Sequence, residues 1–332
     1  MADAAGSPAN PGRILTVAIL ASFVAFLDGS IVTVALPAVS ADLGGGLSTQ
    51  QWAVNAYLLT LGALILLAGS LSDSFGRLKI LRIGLLGFAA ASVACSVAWS
   101  PGFLILARAV QGAAAALLVP GSLALITTAY REPQRSRAIG RWTGWTGTAA
   151  IIGPLLGGVL VDLVSWRLIF AVNVLPVAAT LFLLAGMQDS SARRRTALDL
   201  PGALLAMTGL AGPVYALIEL DRRSWTHPAV VVPLATGILA LGLFVLREVR
   251  TPAPMMPPSL FRARNFRFGN LVTAAAYAGI SLGSFAVTVF LQETGGFSAT
   301  EAGFAALPCR WPCCCSPRSS ANSRASTARA CS

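Results

Sequence analysis

The sequence predicts an all-α protein that crosses a membrane many times, and two observations carry this prediction. The 332-residue chain is 55% hydrophobic and only 11% charged, with a mean hydropathy of +0.73, whereas soluble domains carry about 25% charged residues. Apolar runs of about 20 residues recur along the chain, each long enough to cross a hydrocarbon core of about 30 Å. The segments of roughly ten alternating residues that are typical of a membrane β-barrel do not occur in the sequence.

Nine apolar spans follow one another along the chain. They lie near residues 14–36, 50–70, 79–98, 102–125, 141–161, 168–186, 200–219, 229–246 and 268–291. Before residue 309, Lys and Arg are concentrated in every second connection between spans. One set of alternate connections holds sixteen of them and the other holds three. Because cytoplasmic loops carry the excess of basic residues, the N-terminus and the basic loops are predicted to be cytoplasmic. The net charge of +11 therefore reflects topology, and no nucleic-acid partner is predicted, since the charges are split among short loops.

The chain divides by composition into five parts. Residues 1–13 form a short polar lead, predicted to be disordered and cytoplasmic. Residues 14–187 hold six closely joined spans rich in Gly, Ala and Ser, which let helices pack tightly in a bilayer. Residues 188–250 form a basic linker and a two-span insert, and residues 251–308 form a Pro-rich connector and the start of a further helical unit. Residues 309–332 form an aberrant tail.

Charged side chains inside apolar spans are the main candidates for a functional site. Asp28 lies in the middle of the first span, and Arg108 lies near the start of the fourth span with Gln111 on the same helix face. A charge well inside a membrane costs at least about 2.5–3.5 kcal/mol on insertion scales, so it usually lines a cavity or is paired. Asp28 is either a hydrogen-bonded structural acid or a proton-carrying carboxylate. Arg108 either extends to the membrane interface or serves a cavity, and the cost favours the cavity.

The loop between the second and third spans reads GSLSDSFGRLKIL. Gly69 and Gly76 permit a tight turn, and Asp73 and Arg77 are four residues apart and able to pair. This loop is either an ordinary solvated turn or a latch that favours one conformation. An exposed ion pair is worth only about 0–1 kcal/mol, so it can bias two states without determining them alone.

The fifth span contains GWTGTAAIIGPLLGG, in which small residues follow one flank of the predicted helix. Gly153, Gly157 and Gly158 allow close packing, and Pro154 removes a backbone hydrogen bond and bends the helix. This segment is interpreted as ordinary tight packing with, in addition, a kinked and leak-proof seam between helix bundles. No metal-ligand cluster, phosphate-binding loop or nucleophile constellation occurs in the sequence before residue 309, so neither an enzyme nor a metal site is predicted.

Taken in order, seven segments resemble the major facilitator superfamily and, within it, the fourteen-span drug:proton antiporter family. They are LDGSIVTVALP, QWAVNAYLLT, GSLSDSFGRLK, RAVQGAAAA, GPLLGG, WRLIFAVNVLP and FSATEAGFAALP. The two-span insert favours the fourteen-span branch over the twelve-span branch. The resemblance implies alternating access between two six-helix bundles around a midplane cavity. This chain would supply a complete N-terminal six-helix bundle, two inserted helices and the first helices of an incomplete C-terminal bundle.

The resemblance also implies roles for particular residues. They are Asp28, Arg108 and Gln111 for proton coupling or cavity electrostatics; Gly69, Asp73, Gly76 and Arg77 for the cytoplasmic gate; Gly153, Pro154, Gly157 and Gly158 for the antiporter helix bend; and Trp52, Asn55 and Tyr57 for a candidate substrate cavity. The implied protein is a monomeric, multi-pass plasma-membrane antiporter without a cofactor, driven by the proton gradient. Its partners are the lipid bilayer, protons and amphipathic, often cationic, small molecules.

Two other functional interpretations stay open. In the first, the chain is a non-transporting membrane fragment or remnant. In the second, the exporter carries a metabolite or siderophore in place of drugs. A membrane enzyme or receptor has no catalytic constellation in its favour.

The tail, residues 309–332, contains five Cys, four Arg and six Ser but no Leu, Ile, Val or Phe. Its CRWPCCC segment lacks the spaced ligand pairs of a zinc site. One Lys against twenty-three Arg indicates a GC-rich gene, in which a one-base shift turns Leu and Val codons into Cys and Ser codons. Reversing such a shift makes 309–320 apolar and lets 321–331 resemble the superfamily loop pattern G-x-L-A-D-x-x-G-x-R, except at its Asp. We therefore expect a frameshift near codon 308 and a truncated product that does not transport.

Overall fold

The computed structural model describes residues 11–187, 199–220, 223–251, 256 and 258–305. Its helices are α1 (Pro11–Leu43), α2 (Gly46–Phe75), α3 (Arg77–Ser96), α4 (Pro101–Ala129), α5 (Gln134–Leu163), α6 (Leu168–Ala171), α7 (Val174–Leu184), α8 (Leu200–Glu219), α9 (Pro228–Arg250), α10 (Arg264–Glu293) and α11 (Ala299–Ala305), with a 3-10 helix at Pro258–Arg262. Within the described part of the chain there is no strand. The predicted all-α membrane fold is confirmed.

Eight of these helices are long and apolar enough to cross a membrane, namely α1 to α5, α8, α9 and α10. The sixth predicted span is different, because it consists of two pieces, α6 and α7, that meet at Val172 and Asn173. Pro176 has no N–H to donate to the Val172 carbonyl, and the Leu175 N–H bonds that carbonyl instead, at 3.2 Å. The predicted span near 168–186 thus corresponds to a helix that is broken at Val172 and Asn173.

Four of the five predicted parts fall wholly or partly outside the described residues, the connector at 251–308 among them, since its residues 252–255, 257 and 306–308 are not described. The lead was predicted to be disordered through residue 13, but Pro11–Arg13 already belong to α1, where proline at the first helical position is favourable. Residues 1–10, the arginine-bearing linker at 188–198 and the tail at 309–332 lie outside the described residues.

The first bundle is built around α1, which packs against α4, α5 and α7. α4 in turn packs against α2 and α3, so α1 and α4 form the centre of this bundle. Sixteen of the 33 residues of α1 are buried, and one of them is Asp28. An acid at this depth requires partners from the surrounding helices.

The remaining helices lie beside the first bundle. α8 and α9 form a pair that packs on α2, with the Trp52 and Tyr215 rings 5.8 Å apart. α10 is exposed along residues 264–283 and reaches the first bundle only near its C-terminal end, whereas α11 packs on α5. The first bundle is therefore well packed, and α10 shows a long apolar face.

Candidate functional site

Asp28 and Arg108 form an ion pair in the interior of the first bundle. Arg108 Nη1 lies 2.5 Å from Asp28 Oδ2, and the two side chains are 1% and 0% exposed. Arg108 Nε also donates to the carbonyl oxygen of Ala53 on α2, at 2.8 Å. The guanidinium therefore points inward and joins α1, α2 and α4, so the alternative in which Arg108 extends to the membrane interface is wrong. Pairing with Asp28 offsets the cost that would otherwise draw the charge toward water.

Two amide side chains complete the hydrogen bonds to the Asp28 carboxylate. Gln111 Nε2 donates to Asp28 Oδ1 at 2.9 Å, and Asn173 Nδ2 donates to the same oxygen at 2.7 Å. Gln111 is itself fixed, since its Nε2 donates to Ser92 Oγ at 2.9 Å and its Oε1 accepts from Arg108 Nη1 at 2.7 Å. The carboxylate thus accepts hydrogen bonds from three side chains, as a buried polar group requires.

Aromatic rings flank the guanidinium. The Arg108 Cζ atom lies 4.4 Å from the centroid of the Tyr57 ring and 5.7 Å from that of Phe170. The Tyr57 hydroxyl donates to the Ala25 carbonyl oxygen at 3.0 Å. Cation–π contacts of this kind are worth more where water is excluded, so the rings help to hold the cation in an apolar interior.

The structure brings Asp28, Arg108 and Gln111 together as the sequence suggested, and it adds Asn173. Sequence reasoning missed Asn173, although the asparagine interrupts the apolar run FAVNVLP. The same criterion that singled out Asp28, a polar residue inside a span, could have found it. Its position at the break between α6 and α7 directs its amide to α1.

The predicted gate loop joins α2 to α3. Gly76 lies between the two helices with φ +102°, a value that L side chains rarely adopt. Arg77 Nη2 lies 3.0 Å from Asp73 Oδ1, with the side chains 22% and 47% exposed. Arg77 Nη1 also donates to Ala124 O at 3.0 Å and to Thr128 Oγ1 at 2.5 Å, both on α4. Gly69 lies one helical turn before Asp73 on α2, and a Cβ added at Gly69 would meet nothing within 4 Å.

The predicted helix bend in α5 contacts two different helices. A Cβ added at Gly153 would collide with Ser30 Oγ, and one added at Gly157 would collide with Ile31, both on α1. A Cβ added at Gly158 would lie 2.6 Å from the Ala299 carbonyl oxygen, and one at Gly303 would lie 2.5 Å from the Pro154 carbonyl oxygen. This segment of α5 is thus wedged between α1 and α11, and Pro154 lies in its interior.

Further hydrogen bonds join the first bundle to α10 and α11 near the Leu163 end of α5. The Asp162 carboxylate accepts the backbone N–H groups of Ala299 and Thr300, at 3.1 and 2.8 Å. Gln50 Nε2 donates to Glu293 Oε1 at 2.6 Å. Given the order of the helices, this end of the molecule lies opposite the basic loops.

The three residues predicted for a substrate cavity have different surroundings. The Trp52 ring packs on Tyr215 of α8, and Tyr57 is 2% exposed beneath Arg108. Asn55 is half-buried on α2. Tyr57 therefore belongs to the buried ion-pair cluster and Trp52 to the contact with the inserted helices, and their predicted role in binding substrate stays a prediction.

The helical architecture and the buried ion pair define a multi-pass membrane protein, and comparison with known proteins gives its family. The family model of the Major Facilitator Superfamily matches residues 18–311. The chain belongs to the Major Facilitator Superfamily. This membership confirms the predicted superfamily and the prediction of a transporter-class protein rather than an enzyme.

Several curated relatives are named for export or resistance. The cephamycin export protein CmcT of Amycolatopsis lactamdurans is 40% identical over 299 residues, covering 89% of this chain and 62% of the relative. The puromycin resistance protein pur8 of Streptomyces alboniger is 40% identical over 298 residues, covering 89% of this chain and 59% of the relative. A crystal structure of the peptide transporter POT in complex with sulfate matches with a TM-score of 0.59 at 17% identity, covering 92% of this chain and 67% of that one. The chain thus spans about three fifths of the length of these curated relatives.

Proposed function

We propose that the protein is a proton-coupled antiporter of the fourteen-span branch, which exports drugs or other amphipathic small molecules by alternating access. The observation that carries the proposal is the buried Asp28–Arg108 pair with its shell of amide donors. An ionisable residue inside a membrane usually belongs to an ion pathway or a proton relay. The relatives named for cephamycin export and puromycin resistance support a small-molecule cargo.

The chemistry of the cluster suits proton coupling. In the ionised state Asp28 binds Arg108 and two amides, and this state holds α1, α4 and the α6–α7 break together. When Asp28 binds a proton, its charge is lost and the attraction to Arg108 weakens, because a neutral carboxyl no longer offsets the guanidinium. A change at the contact of α1 with α4 is a suitable trigger for switching between two arrangements, and coupling needs no cofactor beyond the proton gradient.

We also propose that the described conformation is open at the end that bears the basic loops. α10 and α11 reach the first bundle through Glu293, Ala299 and Thr300, at the opposite end. The part of α10 nearer the basic loops is exposed. The distribution of Lys and Arg predicts that the N-terminus and the basic loops lie on the cytoplasmic side of the plasma membrane. The described conformation would then be open to the cytoplasm.

The fourteen-span assignment and the frameshift are further parts of the proposal. The α8–α9 pair packs on α2 beside the first bundle, as expected of two helices inserted between bundles. The family model match ends at residue 311, close to the change of composition at residue 309. Sequencing the gene tests the frameshift: a one-base shift near codon 308 should open a long frame that encodes further apolar spans. A stop codon soon after the shift would contradict the idea.

Transport in liposomes tests the proposed activity. The purified 332-residue chain and the frame-restored product should be compared under an imposed pH gradient, with a cationic dye as cargo and a trapped pH indicator. We expect proton-linked dye flux from the frame-restored product and none from its Asp28→Asn variant. Flux that persists after the gradient is collapsed would overturn proton coupling. Absence of flux from both products would favour the non-transporting fragment, and flux of siderophores but not dyes would favour the metabolite alternative.

The predicted monomer is tested on the same material. Light scattering of the detergent-solubilised protein should give the mass of one chain, and a stable mass of two chains would contradict it.

A further inference from the structure

A protonated carboxyl group needs a hydrogen-bond acceptor, and the shell around Asp28 offers donors in its present arrangement. Arg108 Nη1, Gln111 Nε2 and Asn173 Nδ2 all donate to the Asp28 carboxylate. Arginine has no acceptor atom at all. If Asp28 binds a proton, as the proposed function requires, the acceptor oxygens that these three side chains can offer to the new O–H are those of the two amides. An O–H left without a partner would cost about 1–3 kcal/mol.

Gln111 is held in its present orientation. Its Oε1 accepts from Arg108 Nη1 at 2.7 Å and lies 3.6 Å from the Cys95 sulfur, and its Nε2 donates to Ser92 as well as to Asp28. Turning this amide would exchange donor and acceptor at each of these contacts. Gln111 is thus a fixed donor to Asp28.

Asn173 is placed differently, although its amide carries the same atoms. Its Nδ2 donates to Asp28 Oδ1 at 2.7 Å. Its Oδ1 is buried and has no hydrogen-bond partner among the described residues. A buried acceptor without a partner is uncommon in folded proteins. If the Asn173 amide turned, Oδ1 would take the place of Nδ2 opposite Asp28. No existing hydrogen bond of Oδ1 would break, because Oδ1 has none among the described residues.

The position of Asn173 in the chain favours such a rotation. The residue lies between α6 and α7, where Val172 and Asn173 are not part of either helix. Its backbone N–H bonds the Phe170 carbonyl at 3.2 Å, and its carbonyl accepts from Val177 at 3.3 Å. The backbone is thus fixed locally while the side chain lies at a break in the helix, opposite Asp28.

We propose that Asn173 is the acceptor for the proton that Asp28 binds. In the ionised state Asn173 donates through Nδ2. When Asp28 takes a proton on Oδ1, the Asn173 amide turns and its Oδ1 accepts the carboxyl O–H. The proton is delivered by hydronium from the aqueous phase: one O–H bond of hydronium breaks, the carboxyl O–H forms, a water molecule is released, and the Asp28–Arg108 pair gains one positive charge. This rotation precedes any movement of α1 against α4, and Gln111 keeps its donor orientation during it.

The other titratable groups near Asp28 do not serve as the acceptor for its O–H. Those around it are Arg108 from α4, Tyr57 from α2 and Cys95 from α3. The Tyr57 hydroxyl is engaged with the Ala25 carbonyl, and the Cys95 thiol lies against Gln111. α6 and α7 contain no titratable residue, and those of α5 lie toward its two ends.

Infrared difference spectroscopy tests this inference without requiring transport. Spectra of the full chain in lipid would be recorded at high and low pH, in unlabelled protein and in protein grown with asparagine labelled by ¹³C at the side-chain carbonyl. We expect a carboxyl C=O band that is absent from the Asp28→Asn variant. We also expect an asparagine C=O band in the same difference spectrum, which moves on labelling and is absent from both Asp28→Asn and Asn173→Leu.

The outcomes separate this inference from the proposed function. A carboxyl band without an asparagine band would overturn the role of Asn173 and leave the protonation of Asp28 intact. No carboxyl band at any pH would overturn both. In Asn173→Leu, which has a similar side-chain volume, the carboxyl band should persist at higher frequency, because its O–H has lost its acceptor. Thr180→Val is the matched control, since Thr180 is equally buried on α7 but bonds the Pro176 carbonyl, and it should keep both bands. If Asn173→Leu does not fold, Asn173→Ala in the labelled chain takes its place, because the label alone does not distinguish Asn173 from the other asparagines.

Discussion

Two aspartate–arginine pairs in the first bundle have the same chemical groups and opposite surroundings. Asp28 and Arg108 are 80 residues apart in sequence, join two helices and are almost fully buried. Asp73 and Arg77 are one helical turn apart and are 47% and 22% exposed. The buried carboxylate accepts from three side chains, whereas the exposed carboxylate bonds Arg77 and has access to water. Burial, rather than the ion pair itself, therefore decides how much each pair contributes.

The energetic difference follows from desolvation. Removing one member of a buried pair leaves a charge without compensation and costs about 3–5 kcal/mol. An exposed pair is worth about 0–1 kcal/mol, because water and salt already screen both charges. Substitutions at the two sites should thus differ several-fold in their effect on stability.

The largest expected effect comes from Arg108→Leu. Asp28 would lose its charged partner while remaining buried, so we expect a loss of about 3–5 kcal/mol in the free energy of unfolding at neutral pH. The measurement is denaturant unfolding of the purified chain in detergent. The double variant Asp28→Asn with Arg108→Leu removes both charges and should recover part of the loss. Equal losses in the single and double variants would contradict the idea that an uncompensated Asp28 charge causes the destabilisation.

An intermediate effect is expected at Gly112, which lets α2 approach the pair. A Cβ at this position would collide with the Tyr57 carbonyl oxygen and Thr60 Oγ1. Gly112→Ala should displace α2, which carries the Ala53 carbonyl that holds Arg108, and such overpacking costs about 1–3 kcal/mol. Gly102→Ala on the same helix is the matched control, because an added Cβ there meets nothing within 4 Å. We expect it to stay within about 0.5 kcal/mol of the unsubstituted chain.

The two pairs also show which features of the site could be predicted from the sequence and which could not. The members of both pairs were found from sequence, since a charge in an apolar run and two opposite charges at i, i+4 are local patterns. Whether Arg108 reaches Asp28 is not local, because the two residues lie on different helices and their distance depends on how α1 and α4 pack. The sequence could therefore state that Arg108 needs a partner or a cavity, but not which of them it has.

Other differences have the same physical origin. Hydropathy located the sixth span but not its break, because Asn173 is outnumbered by its apolar neighbours, although Pro176 in the same run signals a lost backbone bond. Trp52 stays predicted to face a substrate cavity, and the sequence did not reveal that its ring packs on Tyr215 of α8. Hydropathy finds helices and their lengths, while the face that each helix turns to a neighbour depends on tertiary packing.

The smallest expected effects belong to the exposed pair, and its two members should not be equivalent. Asp73→Asn removes the ion pair alone, so we expect a loss of no more than about 1 kcal/mol, reduced further by salt. Arg77→Ala should cost more, because Arg77 also donates to the Ala124 carbonyl and Thr128 Oγ1 on α4. Unfolding in denaturant at low and high salt measures both losses.

The pair formed by Glu219 and Arg223 provides a matched control for Asp73→Asn. It has the same i, i+4 spacing, its Nε–Oε2 distance is 2.9 Å and its side chains are 17% and 42% exposed. Because neither carboxylate is fully buried, Glu219→Gln and Asp73→Asn should give similar small losses that salt diminishes. A loss at Asp73 well above that at Glu219, and insensitive to salt, would show that Asp73 has a structural partner beyond Arg77. The number of hydrogen-bond partners of each carboxylate would then explain the difference in stability between the buried and exposed pairs. The exposed fraction of the carboxylate would not predict its contribution to the free energy of unfolding.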